Sequence, residues 1–196
     1  MTQNLLFKSK TNFKSLLSRF RMCLDRKTFS ISQERKSEIS RKILSDLNSL
    51  SRKMNLKKRI TLKDIAKKER IWHEEGKSST LLKNTVIRSS HSLKLVKAIS
   101  EFDYIEEAFL MNHQGGLIAT YKITSDFDQS DEEKFISVIK DKNFNTNHIS
   151  DLYYDDSINK FLIGLSFPLK NKKGEILAIL YIGADINKLL THYSIN

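Results

Sequence analysis

The sequence predicts an α+β fold, with long N-terminal helices followed by a five-stranded antiparallel sheet and its flanking helices. Two observations carry this. Apolar residues recur at helical spacing as far as Ser100, and beyond Phe102 the period shortens to that of strands, in the order strand, turn, strand, helix, then three strands. Charge adds a third: residues 1–70 hold 20 Lys and Arg against 6 Asp and Glu, whereas residues 71–196 hold 14 against 17. The chain therefore divides into a basic helical arm, 1–59, and a globular domain, 60–196. Entry helices occupy 60–100 of that domain and the sheet portion 103–190.

Each element has a local reason. In the arm, Leu6, Phe13, Leu16, Leu17, Phe20 and Leu24 fall near helical spacing with lysines and arginines between them, and Ile39, Ile43, Leu47, Leu50 and Met54 form a second stripe. Thr61 caps a helix with Asp64 in its first turn, and Gly76 stops it. Ser78 or Ser79 then caps a helix that runs to Ser100 on Leu82, Val86, Leu93, Val96 and Ile99.

Tyr104–Met111 and Leu117–Ile123 read as a hairpin around the turn His113-Gln-Gly-Gly116. Ser130-Asp-Glu-Glu133 matches a capping box, and Phe135, Val138 and Ile139 give the helix behind it a buried face. His148–Tyr154 is the third strand. Phe161, Ile163, Leu165 and Phe167 fall on one face of the fourth, with Leu162, Gly164 and Ser166 on the other. Glu175–Ile182 is apolar on both faces, as a covered central strand is, and Asn187–Tyr193 closes the chain as a short helix.

Composition narrows the function. One cysteine, Cys23, excludes an internal disulfide and any Cys-based metal cluster. No run of about 18 apolar residues is present for a membrane span, and the opening Leu5-Leu-Phe7 is far short of an export signal. The expected location is cytoplasmic, or periplasmic if the native chain begins upstream. The sequence has no GxSxG, P-loop or GxGxxG motif and only six glycines, so no enzyme activity and no cofactor are expected.

The five histidines lack HxH or HExxH spacing. Trp72 is expected to be packed and His73 exposed. Asp126, Asp128 and Asp131 alternate, but an EF-hand loop begun at Asp126 would need Gly and Glu where Asp131 and Ser137 stand, so no metal is expected there.

The cluster Lys57, Lys58, Arg59, Lys67, Lys68 and Arg70 is the candidate polyanion site. Three partners fit the arm: a second helix, from a partner protein or a second copy in a homodimer; an anionic membrane surface; or nucleic acid bound through phosphates.

Several stretches together carry a family resemblance. Ile105-Glu-Glu-Ala-Phe-Leu-Met111, Gly116-Leu117, Thr124-Ser-Asp-Phe127, Asp131-Glu132, Ile149-Ser-Asp151, Leu165-Ser-Phe-Pro168 and Ile182-Gly-Ala-Asp-Ile186 resemble, in that order, a Cache (PDC sensor) domain, the PAS-like sensing module of bacterial receptors. Leu62, Asp64-Ile65 and Trp72 resemble its helical entry. Asp128-Gln-Ser130 departs from the pattern, where an aromatic residue and a glycine are usual.

The resemblance implies a non-enzymatic ligand-sensing or signalling module. A small polar ligand or a protein partner would bind between the sheet and the segment joining the second and third strands. The candidate ligand contacts are Tyr121, Thr124, Ser125, Asp126, Phe127 and Asp128 from that segment, with Tyr153, Ser166 and Tyr181 from the sheet; Gly164 and Ser166 would open space beside them. The alternative is a nucleic-acid-binding or membrane-surface protein that works through the arm and uses the sheet domain as scaffold.

Overall fold

The computed structural model of the chain describes residues 60–140, 147–155, 158–171 and 173–192. The arm assigned to 1–59, with Lys57, Lys58 and Arg59, lies outside the described residues.

Thr61 is the N-cap of α1 (Leu62–His73), and a reciprocal capping box with Asp64 satisfies both backbone ends of the first turn. Ile65 and Trp72 are its buried residues. Gly76, at φ 116°, separates α1 from α2 (Lys77–Ile87) and is itself the N-cap of α2, so neither Ser78 nor Ser79 plays that part. The Ser79 hydroxyl instead donates to the Trp72 carbonyl at 3.1 Å.

The helix expected to run unbroken to Ser100 is two helices. The chain turns after Arg88, and Ser89 caps α3 (Ser90–Ile99) by accepting the Ser92 N–H. The break frees Ser92: its buried hydroxyl donates to the Val86 carbonyl at 2.7 Å and accepts the Thr120 N–H at 2.9 Å, so it ties both helices to the sheet edge.

The sheet contains β1 (Ile105–Met111), β2 (Leu117–Thr120), β3 (His148–Asp155), β4 (Lys160–Lys170) and β5 (Ile176–Asp185), in the order β2-β1-β5-β4-β3, with every pairing antiparallel. β5 is the central strand and is buried on both faces from Ala178 onward. β2 ends three residues short of the expected Ile123. Tyr121 still donates its N–H to Ala108, but Thr120 then turns its hydroxyl onto the Lys122 carbonyl and the chain leaves the sheet.

The segment 121–132 crosses to α4 (Glu133–Ile139). The capping box expected at Ser130 is not formed. Glu132 is the N-cap, without a side-chain bond, because the Ser130 N–H is taken by Asp128 Oδ1 in a local turn. Phe135 and Val138 are buried as expected. α5 (Ile186–His192) follows β5 directly, and the Asp185 carboxylate accepts the N–H groups of Asn187 and Lys188 at its start.

One face of the sheet meets α1, α2, the 121–132 segment and α4. Their shared core contains Ile65, Trp72, Val86, Phe109, Met111, Leu117, Phe127, Phe135, Val138, Ile179 and Tyr181. Ala108, Leu110, Leu165, Phe167, Leu180 and Ile182 point to the opposite face and are buried too.

Candidate functional site

The register brings chemically unusual residues into two rows on the face that carries α4. Directly paired residues of antiparallel strands share a face. Phe109 pairs with Tyr181, Tyr181 with Ser166 and Ser166 with His148, which makes one row across four strands. One step along, Glu107 pairs with Gly183 and Gly183 with Gly164, whose N–H donates to Ser150 Oγ at 2.8 Å.

The middle of this face is therefore bare backbone, and side chains from neighbouring rows lie over it. A Cβ at Gly164 would come within 3.0 Å of the Tyr181 ring and hydroxyl and 3.1 Å of Ser150 Oγ. At Gly183 it would come within 3.3 Å of Glu107 Cβ and 3.4 Å of the Tyr153 hydroxyl. The Tyr153 and Tyr181 hydroxyls meet at 2.8 Å.

The electrostatics of the face follow from burial. Burial raises the Glu107 carboxyl above its ordinary value; Lys134 opposes that shift, while Asp155 and Glu132 add to it. Burial likewise raises both tyrosine hydroxyls, so at neutral pH each is a neutral donor and acceptor. Lys134, from α4, holds its ammonium 5.1 Å from the Phe109 ring centre and 4.9 Å from that of Tyr181. The fully buried Ser166 hydroxyl has no hydrogen-bond partner among the described residues, which is costly unless something else supplies one. An acid, a cation, two phenols and an orphan hydroxyl thus converge beside a glycine pair. β3, the edge strand here, is at most half-buried over its whole length.

Three of the residues picked out from sequence, Tyr153, Ser166 and Tyr181, lie in this cluster. The 121–132 segment is placed differently. Phe127 is fully buried in the core, edge-on to Trp72 at 5.6 Å between centres. The Thr124 carbonyl accepts Trp72 Nε1–H at 3.0 Å, and its hydroxyl donates to the Asp126 carbonyl at 2.7 Å. Ser125 is exposed and bonds to Asp126, while Asp128 makes the local turn with Ser130. Tyr121 stands apart. It lines a cleft of about 340 Å³ with Val96, Ile99, Phe102, Glu106 and Lys188.

Cleft and chemistry do not coincide, because the charged groups at that cleft serve one another. Glu106 bonds Lys160 and lies 3.4 Å from Lys188 Nζ, which also donates to the Asp103 carbonyl at 2.9 Å. Burial works against the Glu106 carboxylate, but the Lys160 bond and the charges of Lys160 and Lys188 outweigh it and hold its pKa below the ordinary value. A carboxyl lowered in this way contributes stability above its unfolded value, and the contribution is lost as pH falls through the folded one. Glu106→Gln is therefore expected to cost about 1 kcal/mol at pH 7, allowing for the half-exposed lysines. The gap from the wild-type chain should close below pH 4 in acid titrations of urea unfolding; a gap that stays constant with pH would contradict this assignment.

Of the basic residues, Lys67 and Arg70 are exposed on α1, whereas Lys68 is drawn inward with its ammonium 5.1 Å from the Phe127 ring centre. Glu107, Gly183, Lys134, Ser150 and His148 escaped the sequence reading. The one signal for Glu107 was an acid pair, Glu106-Glu107, in an apolar strand, where adjacent residues must face opposite ways.

A five-stranded antiparallel sheet of this order, entered through helices and covered on one face by the segment between its second and third strands, is the PAS-like arrangement that the resemblance to Cache domains implied. Among solved structures, the sensory domain of the Campylobacter jejuni chemoreceptor Tlp3 (CcmL) superposes with a TM-score of 0.51 at 13% identity, over 94% of this chain and 66% of that one. The Bacillus subtilis YkuI protein, which has an EAL domain, gives a TM-score of 0.48 at 14% identity, over 92% of this chain and 37% of that one. The ligand-binding domain of the Pseudomonas fluorescens chemoreceptor CtaA, in complex with L-serine, gives 0.38 at 12% identity, over 56% and 48%. At these identities the likeness to the Tlp3 domain is one of fold, and the chain spans just under two thirds of that domain's length. No family model matches the sequence, and no curated protein is similar to it in sequence. Among the described residues, no helix is long and apolar enough to cross a membrane.

Proposed function

We propose that the domain is a non-enzymatic sensor whose ligand, a small zwitterion of the amino-acid type, binds over the glycine pair. The observation that carries this is the convergence of Glu107, Lys134, Tyr153 and Tyr181 around Gly164 and Gly183, with the unpartnered Ser166 hydroxyl beneath them. A half-buried carboxylate suits an ammonium group, a lysine suits a carboxylate, and the phenols serve either end. A ligand entering past β3 would exchange its own polar groups for the Tyr153–Tyr181 hydrogen bond. A changed tyrosine position is then the signal, a population shift driven by contacts that one arrangement makes and the other does not.

Thermal-shift and calorimetric screens of the whole chain against L-amino acids are the test. One side-chain class is expected to raise the melting temperature. Tyr181→Phe should weaken it about tenfold, the usual scale for one lost hydrogen bond in a closed site. Gly164→Ala, which pushes Tyr181 aside, should abolish the response. A screen without any shift, or a shift that survives Gly164→Ala, would sink the proposal. The expectation of a cytoplasmic location finds no support in the fold.

The basic cluster retains its own reading as a polyanion contact, for which the exposure of Lys67 and Arg70 on α1 is the described support. Salt-dependent binding of the whole chain to anionic vesicles or duplex DNA, weakened by the double change Lys67→Glu with Arg70→Glu, would favour it.

A further inference from the structure

Away from the sheet face, the last turn of α1 and the 121–132 segment bring three ligating side chains together. Glu69 and His73 lie one turn apart on the same face of α1, and Asp126 reaches them from the segment. His73 Nε2 is 2.5 Å from Glu69 Oε1 and 3.1 Å from Asp126 Oδ1, and one donor atom from each residue lies within 4.8 Å of the other two.

The second oxygen of each carboxylate is already engaged. Glu69 Oε2 accepts the backbone N–H groups of Phe127 at 2.8 Å and Asp128 at 2.7 Å, and Asp126 Oδ2 accepts the Ser125 hydroxyl at 2.5 Å. Each acid therefore presents one oxygen, fixed in direction, to the same point. Hydrogen-bonded support of this kind orients metal ligands.

An ordinary histidine–carboxylate ion pair needs one acid. Here two converge on a single ring nitrogen, which carries at most one hydrogen to share between them. The cluster holds more negative charge than an imidazole can balance, and His73 is 53% exposed, within reach of an ion from solution.

We propose that Glu69, His73 and Asp126 bind a divalent first-row transition ion of the zinc type, with water completing its coordination. One nitrogen and two single carboxylate oxygens suit such an ion. Mg²⁺ and Ca²⁺ take oxygen ligands, and a nitrogen donor counts against them. Three protein ligands leave a place for water. Donor distances of about 2.0–2.2 Å require Glu69 and His73 to part slightly, so the ion takes the place of the direct contact between them. Bound there, it fastens the end of α1 to the segment that runs on to α4. The proposal does not depend on the amino-acid reading, because none of its three residues belongs to the sheet face.

Calorimetric titration of the whole chain with ZnCl₂ tests it. One equivalent is expected to bind. His73→Ala and Asp126→Asn should each weaken that equivalent at least tenfold, whereas His113→Ala, in the exposed hairpin turn, should leave it unchanged. Millimolar Ca²⁺ should not compete. Absence of a stoichiometric equivalent, binding indifferent to both site changes, or displacement by Ca²⁺ would each overturn the proposal. X-ray absorption of the zinc-loaded wild-type chain decides independently of how well the variants fold. A shell of one imidazole with oxygens is expected, and a sulfur-containing or all-oxygen shell refutes it.

Discussion

Trp72→Ala is expected to lower stability by about 3–5 kcal/mol, the range for deleting a buried tryptophan. The indole is fully buried and packs edge-on against Phe127. Its Nε1–H donates to the Thr124 carbonyl at 3.0 Å, and the Lys83 ammonium of α2 lies 5.6 Å from its ring centre. One side chain thus joins α1, α2 and the 121–132 segment. Alanine leaves a cavity among Ile65, Phe127 and their neighbours, and it orphans a buried carbonyl as well. Trp72→Phe keeps most of the volume but loses the donor, so it should cost about 1–3 kcal/mol. Urea unfolding of the three chains checks both values. A loss below 1 kcal/mol for the alanine variant would mean that the segment does not depend on this anchor.

Glu107→Gln should have the opposite sign, making the chain more stable at pH 7 by about 1–2 kcal/mol while weakening ligand binding at least tenfold. Burial raises the Glu107 carboxyl above the ordinary 4.5, with Lys134 opposing it. The folded chain therefore holds that proton more tightly than the unfolded chain does. The resulting stability is complete below the unfolded value and is lost as pH rises through the folded one. The ionised form of this half-buried carboxyl is partly desolvated and only partly compensated by Lys134, and a neutral amide of the same shape relieves that. The wild-type chain should gain stability relative to the variant as pH drops from 7 toward 4, and the two should converge there. Unfolding free energies measured across that range decide the matter: a less stable Glu107→Gln at pH 7 would show that Lys134 already neutralises the site. A residue that costs stability and improves binding is the signature of function at this position.

How much was legible depended on the range of the interaction. Thr61 and Asp64 were readable as a cap because both partners lie within one turn. The same logic failed at Ser130, whose N–H Asp128 claims first, and at Ser89, where the helix breaks so that Ser92 can reach Thr120 in the sheet. β4 was legible face by face, because alternation fixes which residues share a side. Which side would carry the polar cluster was not, because both faces are buried. Glu107 escaped for that reason, and so did Gly183, which matters only because Gly164 is its neighbour across the sheet. The exposed His73 was expected, but its partners were not. Glu69 one turn back and Asp126 from a distant segment meet the ring.

By itself the sequence determined the class of fold, the number and order of the strands along the chain, the alternation of β4 and the basic character of the arm. These are properties of local period and composition, and each is complete within a dozen residues. Only the tertiary structure decided that Glu107, Gly164, Tyr153 and Tyr181 share a surface and that α1 and the 121–132 segment close on one histidine. Those meetings join residues far apart along the chain. They follow from strand register and from the path a covered segment must take to bury Trp72 and Phe127, and both are set by the packing of the whole domain.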